Sequence, residues 1–309
     1  VRALSSAISG ANTRVDASPG EGDNAASRTD RKESQMAGTN WTGAPRAAQW
    51  LDDGHRGRQV FAPLAGDMVP PSITAAYDTQ DALVALFAAR GAGTRVGHKI
   101  ALTTPQMRAF VGYDDSIAGQ VLGGQVQRSP AAIAVSRGVH FGFECEIAFR
   151  ISRDTDPAAP PQTREDIAVC IDAACAAFEL IDDRSADYSR FGKDDGATTL
   201  SLAADNAWNA GVVLGDWYTG WQSLDLGAAR GVASINGAEV GSGHGRDVLG
   251  HPLDAMLWMA RHLQSRGQGF KAGEFVITGS LVTSKFPAAG DDVRFVVEGL
   301  GEARMQLSA

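Results

Sequence analysis

The run from His140 to Arg150, HFGFECEIAFR, restricts the fold of this chain more than any other stretch. Phe141, Phe143, Cys145, Ile147 and Phe149 take every second position, the period of a strand that covers one face. Such a strand needs a sheet around it and a core beneath it. The opposite face carries Gly142, Glu144, Glu146, Ala148 and Arg150. Two like charges on neighbouring positions of one face repel, unless water screens them or one cation serves both. From this strand alone, a solvated face is the simpler reading.

The rest of the chain supplies the core. Of 309 residues 44% are apolar, enough for one large domain or two small ones. The formal charge of −8 leaves no basic field to draw in nucleic acid or an anionic membrane, so neither is expected as a partner. Cys145, Cys170 and Cys175 are odd in number and lack a CxxC spacing. They fit neither a disulfide framework nor a zinc site, and they point to a reducing, cytoplasmic setting. No apolar run approaches the roughly 18 residues that span a bilayer.

Residues 1–40 are rich in Ser, Ala, Asp and Gly and nearly free of large apolar side chains. They offer too little surface to offset the entropy of ordering and are expected to be disordered. They also lack the apolar stretch of a signal peptide. Met36 closes this segment and is a candidate native start.

Beyond Trp41, helical and extended patterns alternate. PRAAQWLDDGHRG predicts a helix that stops near Gly57, and YDTQDALVALFAARG a second, with Thr79 as N-cap and Gly91 at its end. TRVGHKIAL reads as a strand burying Val96, Ile100 and Leu102. TREDIAVCIDAACAAF reads as the clearest helix of the chain. Thr163 and Asp166 suit a capping box, and Ile167, Cys170, Ile171, Ala174, Cys175 and Phe178 form one apolar stripe. Asn236-Gly237 between alternating segments signals a type I′ hairpin. HPLDAMLWMARHLQSRG predicts a further helix with Pro252 in its first turn, and the chain closes in strands. The mixture indicates an α+β fold.

Several standard sites are missing: there is no GxSxG elbow, no HExxH and no P-loop. GSGHGRDVLG follows a hairpin and does not open a helix directly, so it is a poor dinucleotide loop. For His244 and His251, surface or capping roles are the default. Glu179 is different. Its neighbours Phe178, Leu180 and Ile181 are core-like, and a buried, unpaired carboxylate costs several kcal/mol unless it is protonated, ion-paired or metal-bound. Arg184 offers an ion pair; Glu144 and Glu146 offer a shared metal. Three carboxylates without His or Cys partners suit a hard divalent ion, Mg²⁺ or Mn²⁺ rather than Zn²⁺.

GHKIALTTPQM, FECEIAFR, AAFELIDDR, AADNAWNAGVVLG, VLGHPLDAMLWMARHL and KAGEFVITGSLV, in this order, resemble the 2-keto-4-pentenoate hydratase group of the fumarylacetoacetate hydrolase superfamily. The resemblance runs from about Trp41 to the C-terminus. It implies a smaller helical, α/β N-terminal part over 41–130 and a mixed β-roll catalytic domain over 131–309. It implies that Glu144, Glu146 and Glu179 bind one Mg²⁺ or Mn²⁺ and that Lys99 lies close to the substrate. Asp114 and Asp115 become acid–base candidates, and Ser280 would help hold the substrate carboxylate. Homodimers or larger homo-oligomers are usual in the group.

The implied chemistry is hydration of a 2-hydroxy-2,4-dienoate or 2-oxo-enoate through a stabilised enolate, in which a cation acts as Lewis acid and Lys99 adds positive charge. Decarboxylation of a 2-oxo-3-enedioate uses the same enolate. Cleavage of an acylpyruvate C–C bond needs a base for water, for which His98 and His140 are the only offers. A non-catalytic metal-binding module is disfavoured by the joint presence of the glutamates, Lys99 and Ser280. The chain also departs from the group's pattern. DDRSAD carries an extra acid where many relatives have D-S-R, which leaves the roles of Asp182 and Asp183 open. Trp208 stands where small residues are common, which bears on the substrate.

Overall fold

A computed structural model describes residues 41–309, so the expectations for residues 1–40, Met36 included, lie outside the described residues. Helix α1 (Ala44–Arg56) buries Ala47, Ala48 and Leu51 and ends at Gly57, as its sequence predicts. Helix α2 (Ile73–Phe87) starts earlier than expected. Ser72, just past Pro70-Pro71, accepts the Ala75 N–H and caps it, whereas Thr79 sits inside the helix with its hydroxyl on the Ala75 carbonyl. The prolines force the break before Ser72, and Ala76 and Tyr77 extend the apolar face from there. A wider helical turn over Ala88–Ala92 carries Gly91 at φ 91°.

Strand β1 (Arg95–Ala101), helix α3 (Pro105–Val111) and strands β2 (Ile117–Leu122), β3 (Val126–Arg128) and β4 (Ala131–Ala134) follow. The alternating run is β5 (Phe141–Ile151), and its odd-numbered apolar side chains are all at least 94% buried. The predicted long helix after Thr163 is a different structure. The capping box is real, but it starts a helix of only five residues, α4 (Arg164–Ala168), and the chain then runs as strand β6 (Ile171–Asp182). Every residue from Ala173 to Ile181 is buried, so β6 is covered on both faces. A doubly covered strand shows no period of two, and its alanine-rich run imitates a helical stripe; strand neighbours override local propensity here. Cys170 and Cys175 are buried and free, as expected of core residues, though not on a helix.

Helix α5 (Ala197–Ala204), strands β7 (Asn209–Leu214), β8 (Arg230–Ile235) and β9 (Ala238–His244), helix α6 (Pro252–Ser265) and strands β10 (Phe275–Lys285), β11 (Asp292–Val297) and β12 (Gly301–Ser308) complete the chain. The β8–β9 hairpin turns at Asn236-Gly237, both at positive φ as a type I′ turn requires. His251 caps α6 through its ring Nδ1.

Two sheets result, with orders β2-β1-β10-β5-β6-β7-β3 and β4-β12-β11-β8-β9. Residue 130 falls between β3 and β4, and strands from both sides of it share the larger sheet. One face of that sheet packs against the smaller sheet, with Phe178, itself edge-on to Phe143 of the same sheet, meeting Phe295 across the interface. The other face carries a second apolar group, including Val121, Ala148, Cys175, Ala177, Val212, Phe275 and Ile277. Glu144, Glu146 and Glu179 share this second face by strand alternation. No helix among the described residues is long and apolar enough to cross a membrane.

His262 on α6 lies against Tyr77 edge-on at 4.5 Å and stacks on Trp258 at 5.5 Å. Burial pushes its pKa down from 6.5 to about 3, and buried His98 is lowered for the same reason. The unfolded chain therefore takes up protons that the folded chain refuses. The contribution of these histidines to stability is full above about 6.5 and falls with declining pH toward about 3. As the pH falls from about 7 to about 5, the urea midpoint of His262→Gln should rise relative to that of the parent protein; a pH-independent difference between the two would contradict this account.

Candidate active site

The antiparallel register of β5 and β6 sets Glu144 directly opposite Glu179, and Glu146 opposite Ala177. Strand β10 lies on the other side of β5, with Ser280 opposite Glu146. Strand β1 runs parallel to β10, with Lys99 paired to Ile277. Carboxylate oxygens of Glu144, Glu146 and Glu179 come within 4.8 Å of one another. Lys99 Nζ lies 3.1 Å from Glu179 Oε1 and donates to the Ala207 carbonyl at 3.0 Å. Glu146 and Glu179 are fully buried and Lys99 is 2% exposed. Around Glu146 and Glu179 the face is therefore not solvated, while Glu144 is half-buried. The ion pair anticipated between Glu179 and Arg184 does not form, because Arg184 is taken by Asp205, which also binds His55 Nε2 at 2.6 Å.

Each carboxylate has one oxygen engaged. Glu146 Oε2 accepts the Gly279 N–H at 2.6 Å, Glu179 Oε1 accepts from the Asn209 amide at 2.8 Å, and Glu144 Oε1 accepts the Ser284 hydroxyl. Glu146 Oε1 and Glu179 Oε2 are buried and have no hydrogen-bond partner. Orphaned carboxylate oxygens in a dry interior are rare because each one costs free energy. A shared hard divalent cation would satisfy both, and the all-oxygen donor set suits one.

The electrostatics agree. Burial raises Glu146 well above the usual carboxylate range, with help from the Glu179 and Glu144 charges and against the Gly279 N–H and Lys99. Burial also lifts Glu179 to about 7, opposed chiefly by Lys99. For Lys99, burial pulls downward, but the charges of Glu179, Glu144 and Glu146 outweigh it and hold the ammonium above its usual range. The site thus combines one fixed positive charge with carboxylates short of positive charge.

The sequence-predicted residues separate into two groups. The glutamates, Lys99 and Ser280 come together. The Ser280 hydroxyl is committed to the strand bulge, accepting the Cys145 N–H at 2.9 Å and donating to the Val282 carbonyl at 2.6 Å. Asp114 and Asp115 are not brought to the cluster by any hydrogen bond or ion pair. They stand in the exposed turn after α3, where Asp115 Oδ1 accepts from Ser116 N–H and from the Trp258 indole on α6. Asp182 proves structural, accepting the N–H groups of Val139 and His140. Asn209, Ser284 and Gly279 escaped sequence reading, since nothing local marks a residue whose partner lies on another strand.

One further device shapes the site. Asn206, Ala207 and Trp208 adopt φ values of 53°, 47° and 59°, three consecutive left-handed residues with no glycine among them. Each costs about 1–2 kcal/mol relative to a right-handed conformation. The turn aims the Ala207 carbonyl at Lys99 and is held by the Asn206 amide, which pairs with both backbone groups of Gln120. Trp208 then stands between two residues that touch the site. It packs edge-on against Phe61, Tyr188 and Phe191 and forms an aromatic wall beside the site.

Comparison with known proteins agrees with this geometry. A family model described as fumarylacetoacetate (FAA) hydrolase C-terminal matches residues 97–308. The chain is 31% identical over 262 residues to a 2-hydroxyhexa-2,4-dienoate hydratase of Comamonas testosteroni, covering 84% of this chain and 96% of the relative. It is 27% identical over 256 residues to a 4-oxalocrotonate decarboxylase of a Pseudomonas species, covering 83% and 94%. The structure of 4-oxalocrotonate decarboxylase from Pseudomonas putida G7, complexed with magnesium and adipate, superposes with a TM-score of 0.76 at 25% identity, over 85% of this chain and 97% of that one. A second structure of that enzyme holds calcium and acetate.

Two outcomes test the cluster. Without added metal, Glu146→Gln should be at least as stable as the parent, because it removes a charge the interior disfavours. With Mn²⁺ at about 100 times its dissociation constant, only the parent should gain about 2.7 kcal/mol of stability by mass action. A metal-dependent gain in the variant would contradict the assignment. Lys99→Met, measured by urea unfolding without metal, should cost roughly 3–5 kcal/mol, the usual loss when a buried pair is broken.

Proposed function

This chain belongs to the fumarylacetoacetate hydrolase family, and we propose that within it the protein is a metal-dependent hydratase that adds water to a 2-hydroxy-2,4-dienoate through its 2-oxo-enoate tautomer. The observation that carries this reading is the cluster of three buried-side carboxylates with orphaned oxygens beside Lys99. Glu144, Glu146 and Glu179 would hold Mg²⁺ or Mn²⁺. That ion supplies a Lewis acid for a substrate whose carboxylate and adjacent oxygen can chelate it.

The chain's own residues do the rest. Lys99 is fixed in its charged form where negative charge gathers on the 2-oxygen, so its field favours the enolate over the keto form. Its ammonium has three N–H donors, and Glu179 and Ala207 occupy two. Ser280, whose backbone lies opposite Glu146, enters as a carboxylate-holding residue on the resemblance, and its hydroxyl would have to leave the Val282 carbonyl to donate to substrate. Asp114 and Asp115 enter on the resemblance alone, as proton carriers on a turn that solvent reaches. Burial by the sheet and the aromatic wall excludes water from the charged end and strengthens each of these interactions.

Hydration is favoured over decarboxylation of a 2-oxo-3-enedioate by the wall itself. Trp208, Tyr188, Phe191 and Phe61 offer an apolar flank that suits an uncharged tail, whereas an enedioate needs a cation for its second carboxylate. Arg184 and Lys99 are already paired. The reading includes a homo-oligomer in the cytoplasm; three free, buried cysteines are in keeping with a reducing compartment.

The purified protein with Mg²⁺ should convert a 2-hydroxy-2,4-dienoate to the 4-hydroxy-2-oxo acid, seen as the mass of one added water. It should release carbon dioxide from a 2-oxo-3-enedioate at least about tenfold more slowly. Faster carbon dioxide release would make it a decarboxylase, and no turnover of either substrate with metal bound would refute the reading.

A further inference from the structure

The ladder that pairs Glu144 with Glu179 continues beyond them on the same face. Gly142 pairs with Ile181, and Phe141 with Asp182, which brings His140 beside Asp183. The His140 and Asp183 side chains meet: Nδ1 lies 2.7 Å from Asp183 Oδ1. Asp183 is fully buried, while the His140 side chain is 36% exposed. The Tyr188 hydroxyl donates to Asp183 Oδ2 at 2.6 Å, and the Ser185 N–H donates to Oδ1 at 2.9 Å, so every strong demand of the carboxylate is met and its position is fixed. Phe286 stacks on the imidazole at 4.2 Å with a 13° tilt. The ring is thus oriented by Asp183 at its edge and Phe286 on its face, and Nε2 has no protein partner among the described residues. A buried carboxylate on Nδ1 with Nε2 left free is the arrangement that makes histidine a general base.

The position relative to the glutamates is specific. Four residues separate His140 from Glu144, about 13 Å along the strand at ~3.3 Å per residue. The residue between them on this face is Gly142, and apolar side chains fill its place: a Cβ there would meet Phe286 at 2.8 Å and Ile181 at 3.1 Å. Tyr188 links the two ends. It hydrogen-bonds to Asp183, packs against Trp208, and its hydroxyl is held in the protonated form by burial, by Asp183 and by the Glu144 charge. A charged station, an apolar floor and a histidine follow one another along one face.

We infer that His140, positioned by Asp183 and Tyr188, is the general base that activates water at the far end of the substrate. This rests on the hydratase reading above and adds the second station to it. Nε2 takes a proton from water as the water oxygen forms a bond to C4 of the 2-oxo-3-enoate. The C3=C4 pair moves toward C2 and gives the enolate, which then takes a proton at C3 and re-forms the 2-oxo group. The proton on His140 returns to C3 directly or through solvent, so the step adds one water and nothing else. His140 is a catalytic residue in this scheme, and Asp183 a positioning residue.

The test uses the full chain with Mg²⁺ and 2-hydroxypenta-2,4-dienoate, following dienol loss and hydrated product separately. In His140→Ala the hydrated product should form about 10²–10⁴-fold more slowly. Loss of the dienol should continue, so the 2-oxo-3-enoate accumulates. Added imidazole should restore part of the hydration, and Mn²⁺ binding should be unchanged. If His140→Ala does not fold, His140→Gln, which keeps a hydrogen bond to Asp183, should show the same separation of the two steps without rescue. Hydration at the parent rate in the variant, or dienol loss and hydration falling together without rescue, would overturn the inference. A parent protein that leaves the dienoate untouched would overturn the hydratase reading, and this inference with it.

Discussion

The structure depends on keeping an ammonium and two carboxylates out of water beside a third that is half-buried. Lys99 and Glu179 form a pair with neither partner more than 2% exposed, and Glu146 lies beside them fully buried. Such a group is stable only if strands from distant parts of the chain deliver each charge within an ångström or so of its place. Four strands do so: β1 brings Lys99, β5 two glutamates, β6 the third, and β10 the Gly279 N–H. The order β1-β10-β5-β6 at the centre of the large sheet is therefore the order the charges require. The smaller sheet and α6 make the opposite face of these strands apolar enough to hold the register. A one-residue slip of β5 against β6 would turn Glu144 and Glu146 into the phenylalanine core and Phe143 and Cys145 toward Lys99.

Glycine positions show how tightly the charged end is built. A Cβ on Gly119 would come within 2.8 Å of the Lys99 side chain and 2.9 Å of the Asn206 carbonyl. One on Gly279, which sits at φ 113°, would meet Thr103 at 2.5 Å. The first glycine gives the lysine stem its channel. The second permits the backbone turn that presents its N–H to Glu146. The strained turn at Asn206–Trp208 belongs to the same construction, since left-handed backbone without glycine persists only where surroundings over-determine it. Here the Asn206 amide on Gln120 and the ring contacts of Trp208 provide that surplus.

Much of the site was legible because it obeys local rules. The period of two over residues 141–149 placed Glu144 and Glu146 on one face, and the apolar neighbours of Glu179 marked it as buried. What the residues alone left open was whether that face meets water, because burial of a strand's polar face is decided by what packs on it. The stretch whose helical pattern the structure overturns is Ile171–Phe178. Its alanines, cysteine and isoleucine satisfy a helical stripe, and only neighbouring strands on both sides reveal it as the sheet's centre. Asn209, Ser284 and Gly279 were not legible for a related reason: their importance lies in cross-strand register. Asp183 was noticed as an extra acid without an assignable role, since its partner is 43 positions away in sequence.

The distance between Glu144 and His140 follows from the same register that buries the charges. In a pleated strand, same-face positions recur at every second residue, so stations along one face are spaced in fixed increments. A face that places a charged rung at Glu144–Glu179 can place its next polar rung only at discrete distances from it. Filling the intervening Gly142–Ile181 rung with apolar surface leaves no polar group between the two stations. A polar residue there would offer a competing partner to the substrate's carbon chain or to water. His140 and Asp183 stand one residue beyond the ends of β5 and β6, so the ladder carries the order of charge, apolar rung and imidazole to its last rung, and Tyr188, which packs on Trp208, holds Asp183 there. The 2-oxo acid end of a substrate belongs at the charged rung, its uncharged tail faces the apolar rung, and the imidazole stands beyond that tail, on the side from which water is brought.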